Sequence, residues 1–309
     1  MSSAPMSVAF LGLGKIGFGM ASSIQRAGYD LVVYNRTQEK MQPLVASGAR
    51  AAKSPREAAA NADVVITCLM DDSSVLENVT GEDGILAGMR RDTIHIGAST
   101  ITPKGSTRLS ELHSSHGSHY VAAPVAGHPD HAAAGKLLSF VAGKPEIINR
   151  CRPVLESYTA KLIQVGDEPA LAASFKLVVN FFAACLLETF GEAFVFAECQ
   201  GLDSVVMGSM FKELMQHPAL PRYIDKIRTR SFEEVLGSTL DGVGSKDVRL
   251  ILQTAEDFHV PLPCASLIRD KIIAAQAIGF GQCDWSVFTE IARLNAGREP
   301  VQKIEAKGA

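Results

Sequence analysis

The chain has little that would draw it to nucleic acid or a membrane. Lysine and arginine together number 30 against 33 acids, a formal net charge of -3, so no basic field exists to hold a phosphate backbone. Six cysteines (Cys68, Cys151, Cys185, Cys199, Cys264, Cys283) are scattered with no C-x-x-C pair, which argues against a zinc ribbon or a dithiol centre. Several lie in apolar runs, as buried thiols of a reducing compartment do, and a cytoplasmic location is expected. Met1 to Met6 carry no positive charge, so no secretory signal is expected. The most apolar stretch, Leu171 to Ala197, contains Lys176, Asn180, Glu188 and Glu192. That is too much polarity for a simple membrane span, and a buried helix of a soluble protein is expected instead. Internal repeats, low-complexity tracts and flexible linkers are also missing.

What is present is alternation. With 309 residues the chain can hold two domains, each with its own core. Short β-rich runs (Val8 to Leu11, Leu31 to Tyr34, Val64 to Leu69, Thr93 to Ile96, Tyr120 to Ala122, Phe140 to Ala142, Leu162 to Val165) are separated by helical patterns, which predicts a parallel sheet covered by helices. Ser54, Pro55 and Glu57 form the signature of a helix start, with a capping box. After Gly166 the strand signals cease. A helix is expected from Pro169 to Cys199, stopped at Gly201, followed by helical segments Asp203 to Met215, Asp247 to Phe258 and Cys264 to Ala277, broken by His217-Pro218 and Val260-Pro261-Leu262-Pro263.

Gly12-Leu13-Gly14-Lys15-Ile16-Gly17 follows the first strand and opens a helix reaching Ala27. In that context the first glycine permits the tight turn, the second lets backbone approach a pyrophosphate, and the third lets helix and strand pack closely. The helix N-terminus then offers unpaired N–H groups to the anion. At the end of the second strand an acid would accept from a free ribose 2'-hydroxyl, but the sequence there is Val33-Tyr34-Asn35-Arg36-Thr37. Arg36 offers a charged fork to a 2'-phosphate, with Asn35 and Thr37 as neutral donors, so NADP is preferred over NAD.

Lys176 and Asn180 are four residues apart and share one face of an otherwise apolar helix. Desolvation there would lower the lysine pKa and ease proton exchange near neutral pH. His113, His116 and His119 have metal-like spacing, but their Ser/Gly-rich segment lacks nearby cysteines and has Glu111 as its one close acid. No metal site is expected, and they read as a solvated face.

These residues, together with Gly97-Ala98-Ser99-Thr100-Ile101-Thr102-Pro103, Ala123-Pro124-Val125-Ala126-Gly127, Lys246-Asp247 and Asp284-Trp285-Ser286, resemble the β-hydroxyacid dehydrogenases over nearly the whole chain. That family includes 3-hydroxyisobutyrate dehydrogenases and glyoxylate or succinic semialdehyde reductases. The resemblance implies an α/β fold: an N-terminal Rossmann domain binding NADP(H) over residues 1–165, joined by a long helix to an all-α domain for substrate and dimerisation over residues 166–309. It implies Lys176 as general acid/base, Asn180 assisting at the substrate, Lys246 closing over the cofactor, and Leu69, Met70, Ser74 and Thr100 contacting the nucleotide. The family usually has proline where Met70 stands.

Substrate contacts are expected from Ser99, Ala126, Gly127 and His128, with Lys176 and Asn180. Where the family usually shows Pro-Val-Ser-Gly-Gly, this chain has Pro124-Val125-Ala126-Gly127-His128: one hydroxyl is lost and an imidazole gained. The expected activity is NADPH-dependent reduction of a small aldehyde or 2-oxo acid, with hydroxyacid oxidation as its reverse, by a homodimer. Two alternatives remain. Imine reductases and reductive aminases resemble this family and share Asn-Arg-Thr, but generally lack the lysine. An inactive NADP-binding scaffold would keep the fold alone.

Overall fold

The computed structural model describes residues 6–299. The chain forms two compact units, Met1–Phe182 and Ala183–Ala309. The first contains strands β1 (Ser7–Leu11), β2 (Asp30–Tyr34), β3 (Arg50–Ala51), β4 (Val64–Thr67), β5 (Ile94–Gly97), β6 (His119–Ala122), β7 (Val125–Ala126), β8 (Leu137–Ala142) and β9 (Thr159–Gly166). Its helices are α1 (Lys15–Arg26), α2 (Gln42–Ala46), α3 (Pro55–Ala59), α4 (Asp72–Thr80), α5 (Ile85–Gly88), α6 (Pro103–His116), α7 (Pro129–Ala133) and α8 (Pro145–Glu156), and α9 (Pro169–Cys199) continues into the second unit.

The sheet runs β3-β2-β1-β4-β5-β6-β8-β7, with β9 paired to β8. From β3 to β6 every pairing is parallel and the strand order reverses at β1, the doubly wound topology that places a ligand crevice beyond the carboxyl ends of β1 and β4. Alternation along β1 sends Val8 and Phe10 to a core with Met20 and Ile24 of α1, while Ala9 and Leu11 face the opposite core with Val65, Ile85 and Leu109. All four β1 side chains are fully buried, and each large one contributes roughly 1.5–3 kcal/mol.

The sheet is not wholly parallel, as the alternation suggested. β8 runs antiparallel to β6 and β7. The segment before it folds back instead of crossing over: β7 pairs with β8, and α7 lies against α1 where Gly19 leaves room for Ala132 and Ala133. Around α3, Ser54 Oγ accepts the Glu57 amide as expected, while Glu57 Oε2 takes the amide of Lys53, one residue earlier than a capping box would.

The three histidines do not share a solvated face. His113 is wholly buried, because the polar composition of α6 conceals an inward stripe of Leu109 and His113 at helical spacing. Its two ring nitrogens find partners in His95 and Ser118, so burial leaves neither unsatisfied.

Helix α9 spans the predicted residues, and Gly201 in the left-handed region (φ +76°) follows it. Its expected burial is not met within one chain: Phe181 is 70% and Leu187 69% exposed. By length and composition this helix could cross a membrane. Its charged groups have other uses, however. The Glu192 carboxylate accepts the amide of Cys264 at 2.9 Å, at the start of a helix of the second unit.

That second unit holds α10 (Ser204–Gln216), α11 (Ala219–Thr229), α12 (Ser245–Asp257), α13 (Pro263–Ala277) and α14 (Glu290–Asn295). Its core gathers Phe232, Leu240, Val248, Ile272, Phe280 and Val287. The Asp284-Trp285-Ser286 motif is a structural staple. Buried Asp284 accepts the amides of Leu236 (2.8 Å) and Ser286 (3.0 Å), and Trp285 Nε1 donates to Tyr223.

Candidate dinucleotide and catalytic site

The glycine turn is built by exclusion. At Gly12 (φ +100°) a Cβ would lie 2.3 Å from the Cys68 carbonyl oxygen, and at Gly17 one would lie 2.0 Å from the Gly12 oxygen. Gly14 differs, since a Cβ there would meet no protein atom within 4 Å. The protein itself therefore sets no steric demand for this glycine, whereas a phosphate resting against the backbone would. Gly14 caps α1, whose first turn has no acid and no side-chain cap, leaving the amides of Lys15 and Ile16 available to an anion. The site thus fits a dinucleotide pyrophosphate.

Asn35, expected to offer a donor to the ligand, lines the cavity and also serves the turn with both ends of its carboxamide, one Nδ2 hydrogen remaining for a ligand. Oδ1 accepts the Leu13 amide at 2.9 Å and Nδ2 donates to Thr37 O at 2.8 Å, so it braces the turn against β2. Beside it opens a cavity of about 440 Å³ that brings together Gly12, Asn35, Arg36, Thr37, Leu69, Met70 and Ser74. Arg36 and Thr37 are exposed, and so is Met70, at 85%. Ser74 has its hydroxyl on Asp71 Oδ1 at 2.6 Å, the residue that caps α4. Sequence reasoning missed Lys40, a second exposed cation lining the cavity four residues beyond Arg36. No periodicity could have found it, because Arg36 and Thr37 are not helical and Gln38–Met41 is only a short 3-10 turn.

All the remaining residues but Lys246 lie elsewhere in the first unit. Ser99 is buried, and its Oγ accepts the Leu69 amide at 2.8 Å, so it ties the loop after β4 to the end of β5; Thr100 beside it is exposed. Ala126 lies on β7, in register with Leu138. Gly127 (φ +140°) turns the chain so that exposed His128 caps α7, and the His128 amide donates to His131 Nδ1 at 3.3 Å.

Lys176 sits on α9 beside Phe175, whose ring lies 4.9 Å from that of Phe140 on β8. It is only 8% exposed, and among the described residues no hydrogen bond or ion pair holds its ammonium. Desolvation pushes its pKa below that of an ordinary lysine. Asn180, one turn on, is exposed. Lys246 belongs to the second unit, at the start of α12, where it pairs with Asp247 at 3.1 Å across an exposed surface. Such a pair contributes little to stability.

Comparisons with known proteins agree with this geometry. The model for the NAD binding domain of 6-phosphogluconate dehydrogenase matches residues 7–166. The model for NAD-binding of NADP-dependent 3-hydroxyisobutyrate dehydrogenase matches residues 171–292. The oxidoreductase YfjR of Bacillus subtilis is 37% identical over 91% of this chain and 98% of its own length. The 3-sulfolactaldehyde reductase of Escherichia coli (strain K12) is 30% identical over 94% of this chain and 97% of its own. Among solved structures, an imine reductase from Myxococcus stipitatus in complex with NADP+ shares the fold, with a TM-score of 0.82 and 18% identity over 92% of this chain and 98% of that one.

Proposed function

The chain belongs to the β-hydroxyacid dehydrogenase family of nicotinamide-dinucleotide-dependent oxidoreductases, and from that premise we propose that it is an NADPH-dependent reductase of a small aldehyde or 2-oxo acid. The observation that carries the reading is Lys176: a lysine held out of water in an apolar helix, with no counter-charge, is poised to exchange a proton. Arg36 and Lys40 would hold a 2'-phosphate, and the α1 N-terminus the pyrophosphate. When bound, the nicotinamide supplies a hydride to the carbonyl carbon. Lys176 as ammonium donates its proton to the carbonyl oxygen that becomes the alcohol, and Asn180 orients the substrate or the lysine. In the reverse direction neutral Lys176 accepts the hydroxyl proton. The unpaired, scattered cysteines support a reducing, cytoplasmic setting.

The test is consumption of NADPH with glyoxylate, succinic semialdehyde, larger aldehydes and cyclic imines. Turnover of a carbonyl supports the assignment. Turnover of imines alone favours imine reductase chemistry, the reading to which Ala126 and His128 lend weight by departing from the family's usual Pro-Val-Ser-Gly-Gly run. Binding without turnover on any of them points to an inactive scaffold.

The lysine also sets a pH dependence. Because its pKa is depressed, the ammonium is lost as pH rises through a value below the ordinary 10.4 or so. The rate of carbonyl reduction is therefore expected to fall on that alkaline limb while the rate of alcohol oxidation rises. Initial rates in both directions from pH 6 to 10 check this. A reduction rate that stays level throughout contradicts the acid role.

The exposed apolar face of the helical unit supports a homodimer. Phe190, Phe194, Phe211 and Met215 line a groove there, with Phe194 and Phe211 edge to face at 5.1 Å. The three phenylalanines are half-buried, and Leu187, Val205, Val206 and Met215 are exposed; an apolar face of this kind usually marks an interface. Light scattering is expected to give twice the 33.0 kDa chain mass, and Leu187→Glu, which charges an exposed position of α9, to shift the protein towards monomer. A wild-type mass of one chain removes the proposal.

A further inference from the structure

A run of four hydrogen bonds crosses the first unit, and the proposed chemistry uses none of it. Thr67 Oγ1 lies 2.9 Å from His95 Nε2, and His95 Nδ1 lies 2.8 Å from His113 Nε2. His113 Nδ1 is 2.8 Å from Ser118 Oγ, and His116 Nδ1 reaches the same hydroxyl at 3.1 Å. Thr67, His95 and His113 are wholly buried.

Proton counting makes this run conditional. A neutral imidazole has one N–H and one bare nitrogen, so the two rings share a single proton across their 2.8 Å contact. The run then points one way throughout, from Thr67 to Ser118 or from Ser118 to Thr67. If both rings were charged, two N–H groups would face each other and the contact would fail. Nothing nearby compensates such charges. Tyr120 of β6 packs on both rings, with centroids 5.3 Å from His95 and 5.8 Å from His113. His116 and His119 oppose a charge on His113. Asp92 is engaged with His119 and Arg150, and Asp72 with Thr102. Among the described residues no carboxylate bonds either ring.

The run ends where the dinucleotide loops begin. Thr67 closes β4, and its carbonyl accepts the Ala98 amide at 2.8 Å. Cys68 backs against Gly12, and the Leu69 amide is held by Ser99 at 2.8 Å. The spacing of the β4 and β5 ends therefore fixes Leu69, Met70 and Thr100 together. We propose that His95 and His113 are positioning residues for the dinucleotide site: sharing one proton, they hold these strand ends in the binding arrangement, and protonation of both rings releases them, so that dinucleotide affinity is lost in mild acid. The inference rests on the cavity binding a dinucleotide, not on which carbonyl is reduced.

Burial keeps both rings neutral when folded, holding His113 at about 3 and His95 well below the ordinary histidine value. A depressed histidine means that the open or unfolded chain binds more protons below about 6.5. The stabilisation is thus complete above that pH and declines as the pH drops from there towards 3.

The experiment is titration with NAD+ and with NADP+ from pH 8 to 5, in the range where circular dichroism reports a folded protein. NAD+ is essential, because a 2'-phosphate itself titrates near pH 6 or so. Wild-type affinity for NAD+ is expected to weaken about tenfold or more between pH 7 and 5. His113→Gln keeps a donor and an acceptor but takes up no proton, and is expected to give a shallower profile, with His95 alone left to bind a proton. His116→Gln, at the outer end, keeps the wild-type slope. A pH-independent wild-type affinity for NAD+, or a His113→Gln slope equal to that of wild type, overturns the proposal. Should His113→Gln not fold, 15N spectra of wild-type imidazoles decide: one protonated nitrogen per ring at pH 8, with second protons taken up over the pH range in which NAD+ affinity falls, supports it, and rings that keep one protonated nitrogen each down to pH 5 overturn it.

Discussion

Lys176→Ala is expected to lower kcat for carbonyl reduction by about 100- to 10,000-fold, the range for removing a positioned proton donor. At about 1.4 kcal/mol per decade this is roughly 3–5 kcal/mol of transition-state stabilisation. The dissociation constant for NADPH is expected to change little, because Lys176 does not line the cavity that gathers the nucleotide-facing residues. Nor should folding suffer. The wild-type side chain is nearly buried without a partner, so its removal strands no opposite charge, unlike the breaking of a buried ion pair. Steady-state kinetics with a parallel binding titration separates these effects. Asn180→Ala, at an exposed position on the same face, is expected to show a milder loss.

Arg36→Ala is expected to raise the dissociation constant for NADP+ by about tenfold to a hundredfold while leaving that for NAD+ nearly unchanged. A hydrogen bond between charged groups contributes roughly 1.5–3 kcal/mol, and only NADP+ presents the phosphate that would use it. Removing Lys40 as well should widen the effect, since both side chains are exposed at the same cavity. Equal weakening of both nucleotides would mean that Arg36 shapes the loop and reads no phosphate.

The glycine turn, the Asn35-Arg36-Thr37 loop and the extent of α9 are legible in the sequence because they follow from local rules: positive φ, helix capping and strand-to-helix context. Properties that depend on a neighbouring element are not. Asn35 reads as a ligand donor in the sequence, and its second task, accepting the Leu13 amide on its oxygen, is visible only in the fold. His113 reads as solvated among serines and glycines, because nothing local reveals that His95, on a strand far back in the sequence, waits opposite it. β8 runs against β6 and β7, though parallel to β9, because α7 packs back on α1, a contact between Gly19 and Ala132 that no periodicity encodes. Lys40 escapes notice for a smaller reason, a short turn without amphipathic pattern.

The most direct test of hydride transfer to a carbonyl is mass spectrometry of the product formed from NADPH deuterated at both C4 positions with a small aldehyde. The account predicts one deuterium on the former carbonyl carbon, with product formation dependent on Lys176. An unlabelled alcohol, or label found only in amines formed from imines, would contradict it.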